Sequence, residues 1–143
     1  MKTVHVAAAI ICKDNKILAA QRGYGEFKDG WEFPGGKLES GETGAQACIR
    51  EIDEELHVAI GDLEYLCTVE HDYETFHLSM ECFTCKISSG TINDSEHENL
   101  RWLESDQLWD VDWLPADIKA VKELEKVLCQ QERCSTKSML LVR

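Results

Sequence analysis

The chain has 143 residues, of which 43% are hydrophobic and 29% charged, and a formal net charge of −12 at pH 7. That size and balance suit one globular domain with a single core. The charge argues against a nucleic-acid polymer as partner, because phosphate contacts need clustered Lys and Arg, but a small anion bridged through metal ions remains compatible.

No apolar run reaches the ~18 residues of a membrane span. Seven cysteines form an odd set without disulfide-framework spacing, which fits a reducing, cytoplasmic setting. "TVHVAAAIIC" (3–12) is β-rich and apolar, and "KDNK" (13–16) supplies a turn, so 3–12 and 16–22 read as a hairpin. "YGEFKDG" (24–30) is a polar, Gly-rich loop, and "WEF" (31–33) a short strand stopped by Pro34-Gly35-Gly36. Paired glycines there point to a close approach that a Cβ would forbid.

Thr43 followed by Gln46 is a capping-box pattern and predicts a helix near 43–56. Ala45, Cys48, Ile49, Ile52 and Leu56 make its apolar stripe. Residues 63–72 and 75–87 alternate as strands around a turn, "HDYET". "CFTC" (82–85) lies in that second strand with no further Cys or His pair to complete a zinc site, so it reads as ordinary thiols. "LRWL" (100–103) is a last strand, "ESDQLWD" (104–110) a short helix, and 115–130 an amphipathic helix opening on Pro115 and carrying Ile118, Val121, Leu124 and Leu128. The expected fold is therefore a mixed sheet with one helix in the middle and one at the end, α+β or an α/β/α sandwich. Residues 1–132 form one domain, and 133–143 a frayed tail.

"REIDEELHV" (50–58) concentrates Glu51, Asp53, Glu54 and Glu55 in little more than a turn. Like charges three and four apart repel by about 0.2–0.5 kcal/mol per pair. At 100° per residue, Glu51, Glu54 and Glu55 share an arc of about 100° beside the apolar stripe, at the rim of whatever the helix packs on. Carboxylates gathered this way raise each other's pKa unless a cation holds them, and hard divalent cations prefer such oxygens.

The wider spacing spells G-x5-E-x7-R-E-U-x-E-E-x-H-U, carried by Gly36, Glu42, Arg50, Glu51, Ile52, Glu54, Glu55 and Val58. This resembles the Nudix hydrolase signature, with "WEFPGG" upstream as in many members. The family's second Gly is His57 here, a change that bears on how the helix ends rather than on a metal ligand. The resemblance implies a Nudix-type α/β/α sandwich and metal-assisted hydrolysis with Mg²⁺, or Mn²⁺ as a substitute. Glu54 and Glu55 would be direct metal ligands, Glu51 a ligand or water orienter, and the carbonyl of Gly35 or Gly36 a neighbouring ligand. Arg50 would fix the carboxylate rotamers and Glu42 support the loop. Glu54 or Glu96, the latter six residues before Trp102, would take the proton from the attacking water.

Beyond the signature, "WEFPGGKLESGET", "EHENLRWL" and "WLPADIKAV" are similar to MutT-type nucleoside triphosphate pyrophosphohydrolases, including the CTP-preferring branch. That implies a base pocket of Arg22, Phe33 and Asp117, the last standing where MutT-like enzymes have Asn. An ionised Asp only accepts hydrogen bonds, which suits the N4 amine of cytosine; protonated, it suits an oxidised purine. Both 8-oxo-dGTP and CTP-type substrates stay open. The implied partner is a small nucleotide, with neither a nucleic-acid polymer nor a membrane, for a monomer or homodimer. Alternatives are a Nudix pyrophosphatase for a sugar nucleotide or dinucleoside polyphosphate, and a non-catalytic sensing module.

Overall fold

The first strand sets the layering. In a computed structural model describing residues 1–93 and 97–142, with side chains described to Cys129, β1 (Lys2–Lys13) runs through the middle of the sheet. Ala7, Ala9 and Ile11 enter one core layer and Ala8 and Ile10 the other, each at most 2% exposed. A strand buried on both faces is a continuous apolar run, as this one is. Asp14 and Asn15, both at positive φ, turn the chain into β2 (Lys16–Arg22). Paired positive φ values are the mark of the type I′ hairpin.

β3 (Trp31–Glu32) and β4 (Gly35–Lys37) follow, then α1 (Gly44–Leu56), β5 (Ala59–Asp72), β6 (Phe76–Ser89), β7 (His97–Glu104), a 3₁₀ turn (Ser105–Gln107) and α2 (Pro115–Val142). The sheet order is β3-β2-β1-β6-β5, with β4 also on β1 and β7 also on β2. β1 and β6 run parallel and the remaining strand pairs antiparallel, so the sheet is mixed. β5 and β6 begin or end a few residues beyond the expected limits, and α2 extends past 130. The expected tail, 133–143, falls on residues whose side chains are not described.

One helix covers each face. Ala47, Cys48, Ile52 and Leu56 of α1 pack on Ala7, Ala9, Ile11, Leu18 and Phe83. Ala116, Ala120, Val121 and Leu124 of α2 pack with Ala8, Ile10, Met80, Cys82 and Trp113. Full burial of a side chain such as Ile52 or Leu56 contributes about 1.5–3 kcal/mol, so α1 is held by its apolar face. Ile49 corrects the expected stripe: it is 43% exposed, and Ala47 takes its place against the sheet. Cys82 and Cys85 belong to opposite core layers; an odd spacing in a strand sends two thiols to opposite faces.

The ends of α1 place the acids. Thr43 Oγ1 accepts the Gln46 N–H at 3.1 Å, and Gln46 Oε1 accepts the Thr43 N–H at 2.9 Å, the expected capping box. At the other end His57 is left-handed, with φ 60° and ψ 35°, and donates its N–H to the Asp53 carbonyl. A Cβ at Gly35 would strike the Ala7 carbonyl oxygen, so only Gly lets β4 lie this close to β1. No described helix is long and apolar enough to cross a membrane.

His57 holds a conformation that costs an L-residue roughly 1–2 kcal/mol and Gly almost nothing. His57→Gly is therefore expected to raise unfolding stability by about 1 kcal/mol. Urea denaturation checks this through a higher midpoint at unchanged slope.

Candidate active site

The acids of α1 do not face one another alone. Arg50 donates through Nε to Glu42 Oε2 at 2.7 Å and through Nη2 to Glu42 Oε1 at 2.9 Å. Its Nη1 reaches Glu51 Oε1 at 2.9 Å and Glu54 Oε2 at 3.2 Å, and Nη2 also donates to the Lys37 carbonyl at 2.9 Å. The planar guanidinium fork suits such multiple carboxylate contacts in a way Lys cannot match. Arg50 and the Glu39 N–H hold the Glu42 carboxyl well below its ordinary range, at about 2. The contact to Lys37 ties α1 to β4, so the helix rim and the glycine strand form one unit.

Glu51 lies over Gly36, where an added Cβ would land on its carboxyl. Glu55 lines a polar cavity of about 250 Å³ together with Gly35, Arg22, Tyr24, Gly25, Glu26, Glu32 and His97. Asp53 is exposed. Among the described residues no three His, Cys, Asp or Glu side chains already converge as a metal cage. The donor set nevertheless fits a hard divalent cation. One guanidinium faces four carboxylates, Glu39, Glu42, Glu51 and Glu54, so negative charge is left in excess on oxygen ligands. Mg²⁺ in particular binds through one or two carboxylates plus substrate phosphates rather than a full protein cage.

Beside this rim opens a second, more apolar cavity of about 240 Å³, bordered by Phe27, Phe33, Tyr73, Phe76, Leu114 and Asp117 among others. The two cavities share Arg22, Glu26, Glu32 and Gly35. Asp117 arrives there because Trp31 donates to the Asp112 carbonyl and Leu114 donates to that of Trp31, laying 112–114 along β3. Asp117 Oδ1 then accepts the Phe33 N–H at 3.0 Å. Asp117 is 5% exposed, and burial pushes its carboxyl up to about 8. Phe33 is buried against Trp113, ring centroids 4.6 Å apart, while its edge borders the cavity, so packing and lining coexist. Arg22 pairs with Glu32 at 2.6 Å, and Glu32 reaches His97 at 3.3 Å. Burial alone would raise the Glu32 pKa, but hydrogen bonds from His97 and Arg22 bring it below the ordinary value.

The structure thus brings Arg50, Glu42, Glu51, Glu54, Gly35, Gly36 and Glu55 to one rim and Arg22, Phe33 and Asp117 to one cavity. Glu96 lies outside the described residues. Sequence reasoning missed Tyr73, Phe76, Glu32 and His97. Tyr73 stands in the β5–β6 turn, where its hydroxyl accepts the Ala116 N–H at 3.2 Å and its ring stacks on Phe76 at 5.1 Å. An aromatic in a polar turn was the available signal, since a turn facing only solvent gives it nothing to pack on.

Because its pKa is depressed, Glu42 supplies stability that is present above about 4.5 and lost as pH falls toward about 2. Glu42→Gln is expected to lower Tm at pH 7, with the gap to the parent closing over that acid window. Thermal melts of both proteins from neutral to acid pH check it; a gap that is constant with pH contradicts it.

The chain matches the NUDIX domain model over residues 1–126. It is 35% identical over 119 residues to the CTP pyrophosphohydrolase of Escherichia coli K12, covering 82% of this chain and 88% of that protein. To the 8-oxo-dGTP diphosphatase of Proteus vulgaris it is 43% identical over 84 residues, 57% of this chain and 75% of that protein. Among solved structures, a MutT NUDIX hydrolase from Burkholderia pseudomallei superposes with a TM-score of 0.79 at 27% identity, over 86% of this chain and 98% of that one. A signature helix rimmed with acids, an α/β/α sandwich around a mixed sheet, and these matches lead to one assignment: the chain belongs to the Nudix hydrolase family.

Proposed function

We propose that this Nudix hydrolase cleaves nucleoside or deoxynucleoside triphosphates to the monophosphate and pyrophosphate with Mg²⁺. The observation that carries the reading is the junction of the two cavities at Arg22, Glu32 and Gly35. An aromatic-lined slot opens there directly beside an acid-rich rim, as a molecule with a planar base at one end and polyphosphate at the other requires.

Glu51, Glu54 and Glu55, with the carbonyl of Gly35 or Gly36, would hold the cation. When bound, a divalent ion neutralises charge developing on phosphate oxygens and lowers the pKa of water. Glu54, the most exposed of Arg50's acceptors on α1 at 57%, takes the proton from the attacking water in this reading, with Glu96 as the other candidate. Arg50 holds Glu51 and Glu54 in fixed rotamers, which removes a reorganisation step before proton transfer. Arg22 fixes the substrate at the junction, and its partner Glu32 limits where that cation can move.

Asp117 orients the base. With its carboxyl near 8, it is protonated at pH 7 and both donates and accepts, which suits the N–H and carbonyl edge of an oxidised purine. Ionised, it only accepts, which suits the N4 amine of cytosine. At neutral pH the balance therefore favours an 8-oxo-dGTP-type substrate over a CTP-type one.

Two measurements follow. Glu54→Gln is expected to reduce pyrophosphate release by about 10²–10⁴-fold; a variant as fast as the parent on every triphosphate rejects Glu54 as base. The ratio of kcat/KM for 8-oxo-dGTP to that for CTP is expected to fall as pH rises through about 8, because the donor is lost on ionisation. Asp117→Asn should make that ratio independent of pH in the same window, and a persisting pH shift would remove Asp117 from base recognition.

A further inference from the structure

The loop over residues 23–30 is strained at an unusual place. Gly25, Phe27 and Asp29 have φ of 76°, 61° and 74°. Gly adopts this region freely and Asp fairly often, but for a bulky aromatic it is an outlier that persists only where the surroundings over-determine it. Here they do. Arg22 Nη1 donates to the Glu26 carbonyl at 3.2 Å, and Gln21 Nε2 to the Asp29 carbonyl at 3.0 Å. Asp29 donates its N–H to the Arg22 carbonyl at 2.8 Å, and Gly30 to that of Phe27 at 2.9 Å. Of the two side chains on β2 that fasten this loop, Arg22 stands at the cavity junction itself.

Burial does not account for the strain, because Phe27 is 42% exposed. Its ring borders the apolar cavity with Phe33, Tyr73, Phe76 and Asp117, and its centroid stands 5.3 Å from that of Tyr73 at 53°. A half-exposed ring, fixed in a costly conformation above a cavity, has its use in what enters the cavity.

We propose that Phe27 is a specificity-determining residue, held left-handed so that its ring packs on a planar heteroaromatic base in the cavity. The assignment rests on the nucleotide reading of the same site and adds the residue that selects for the base itself. Aromatic faces stack on any nucleobase, so Phe27 distinguishes base-bearing substrates from those without a base, while Asp117 distinguishes one base from another.

The test compares the parent with Phe27→Gly and Phe27→Tyr by three readouts: Tm, calorimetric binding of the nucleoside monophosphate product, and pyrophosphate release from a nucleoside triphosphate and from abasic deoxyribose triphosphate. For Phe27→Gly, Tm is expected to be unchanged or higher, since Gly accepts this φ. Monophosphate binding and the triphosphate KM are expected to weaken about tenfold, with turnover of the abasic substrate unchanged. Phe27→Tyr keeps the ring and should restore parental values. A Phe27→Gly variant that unfolds or loses Tm, that loses both substrates equally, or that keeps parental KM overturns the proposal. Should the parent neither bind the monophosphate nor cleave any triphosphate, the nucleotide reading falls and takes this assignment with it. A working parent with an unaffected Gly variant removes Phe27 alone.

Discussion

A single guanidinium makes the rest of this site possible. Glu42, Glu51 and Glu54 repel one another on one loop and one helix rim, and Arg50 binds all three while also holding the Lys37 carbonyl of β4. Exposed ion pairs contribute little by themselves. The value of this one lies in geometry: five donor contacts fix the acids relative to the glycine strand, and the strand is fixed to β1 because Gly35 has no Cβ to strike Ala7. From Ala7 outward to Glu54, each position follows from the one beneath it.

The same arrangement reconciles a chain of net charge −12 with the polyanionic substrate proposed for it. Arg50 answers only part of the carboxylate charge at the rim, which leaves oxygen ligands suited to a divalent ion. At the junction, Glu32 answers Arg22, and in the aromatic cavity burial pushes the Asp117 carboxyl up to about 8. Charge is thus graded along the site, from acid-rich at α1 to neutral and aromatic at Asp117.

Much of this was readable in the sequence because helical period and fixed spacing are local. Thr43 with Gln46 marked the start of α1, Ile52 and Leu56 marked its buried face, and Glu51, Glu54 and Glu55 followed on its rim. Ile49 was misread because apolar character alone does not say which edge of a stripe reaches the sheet, and small Ala47 fits closer. The aromatic cavity was less legible since its contacts are long-range: Phe33 and Asp117 are 84 residues apart, and Tyr73 and Ala116 43. Resemblance to a family supplied Arg22, Phe33 and Asp117. For Tyr73 the local signal was only an aromatic in a polar turn, and nothing local supplied Glu32 or His97, whose contacts depend on which strands become neighbours. Phe27 was invisible for another reason, since its backbone conformation is a property of the folded loop.

In the proposed function the acid rim and the aromatic slot serve one reaction on one nucleotide. Phosphorus NMR of a nucleoside triphosphate incubated with the protein and Mg²⁺ tests it most directly, because it reads which phosphoanhydride bond is cut. The account predicts one nucleoside monophosphate and one pyrophosphate per turnover. Release of orthophosphate with a nucleoside diphosphate, or no cleavage of any base-bearing triphosphate, would contradict it.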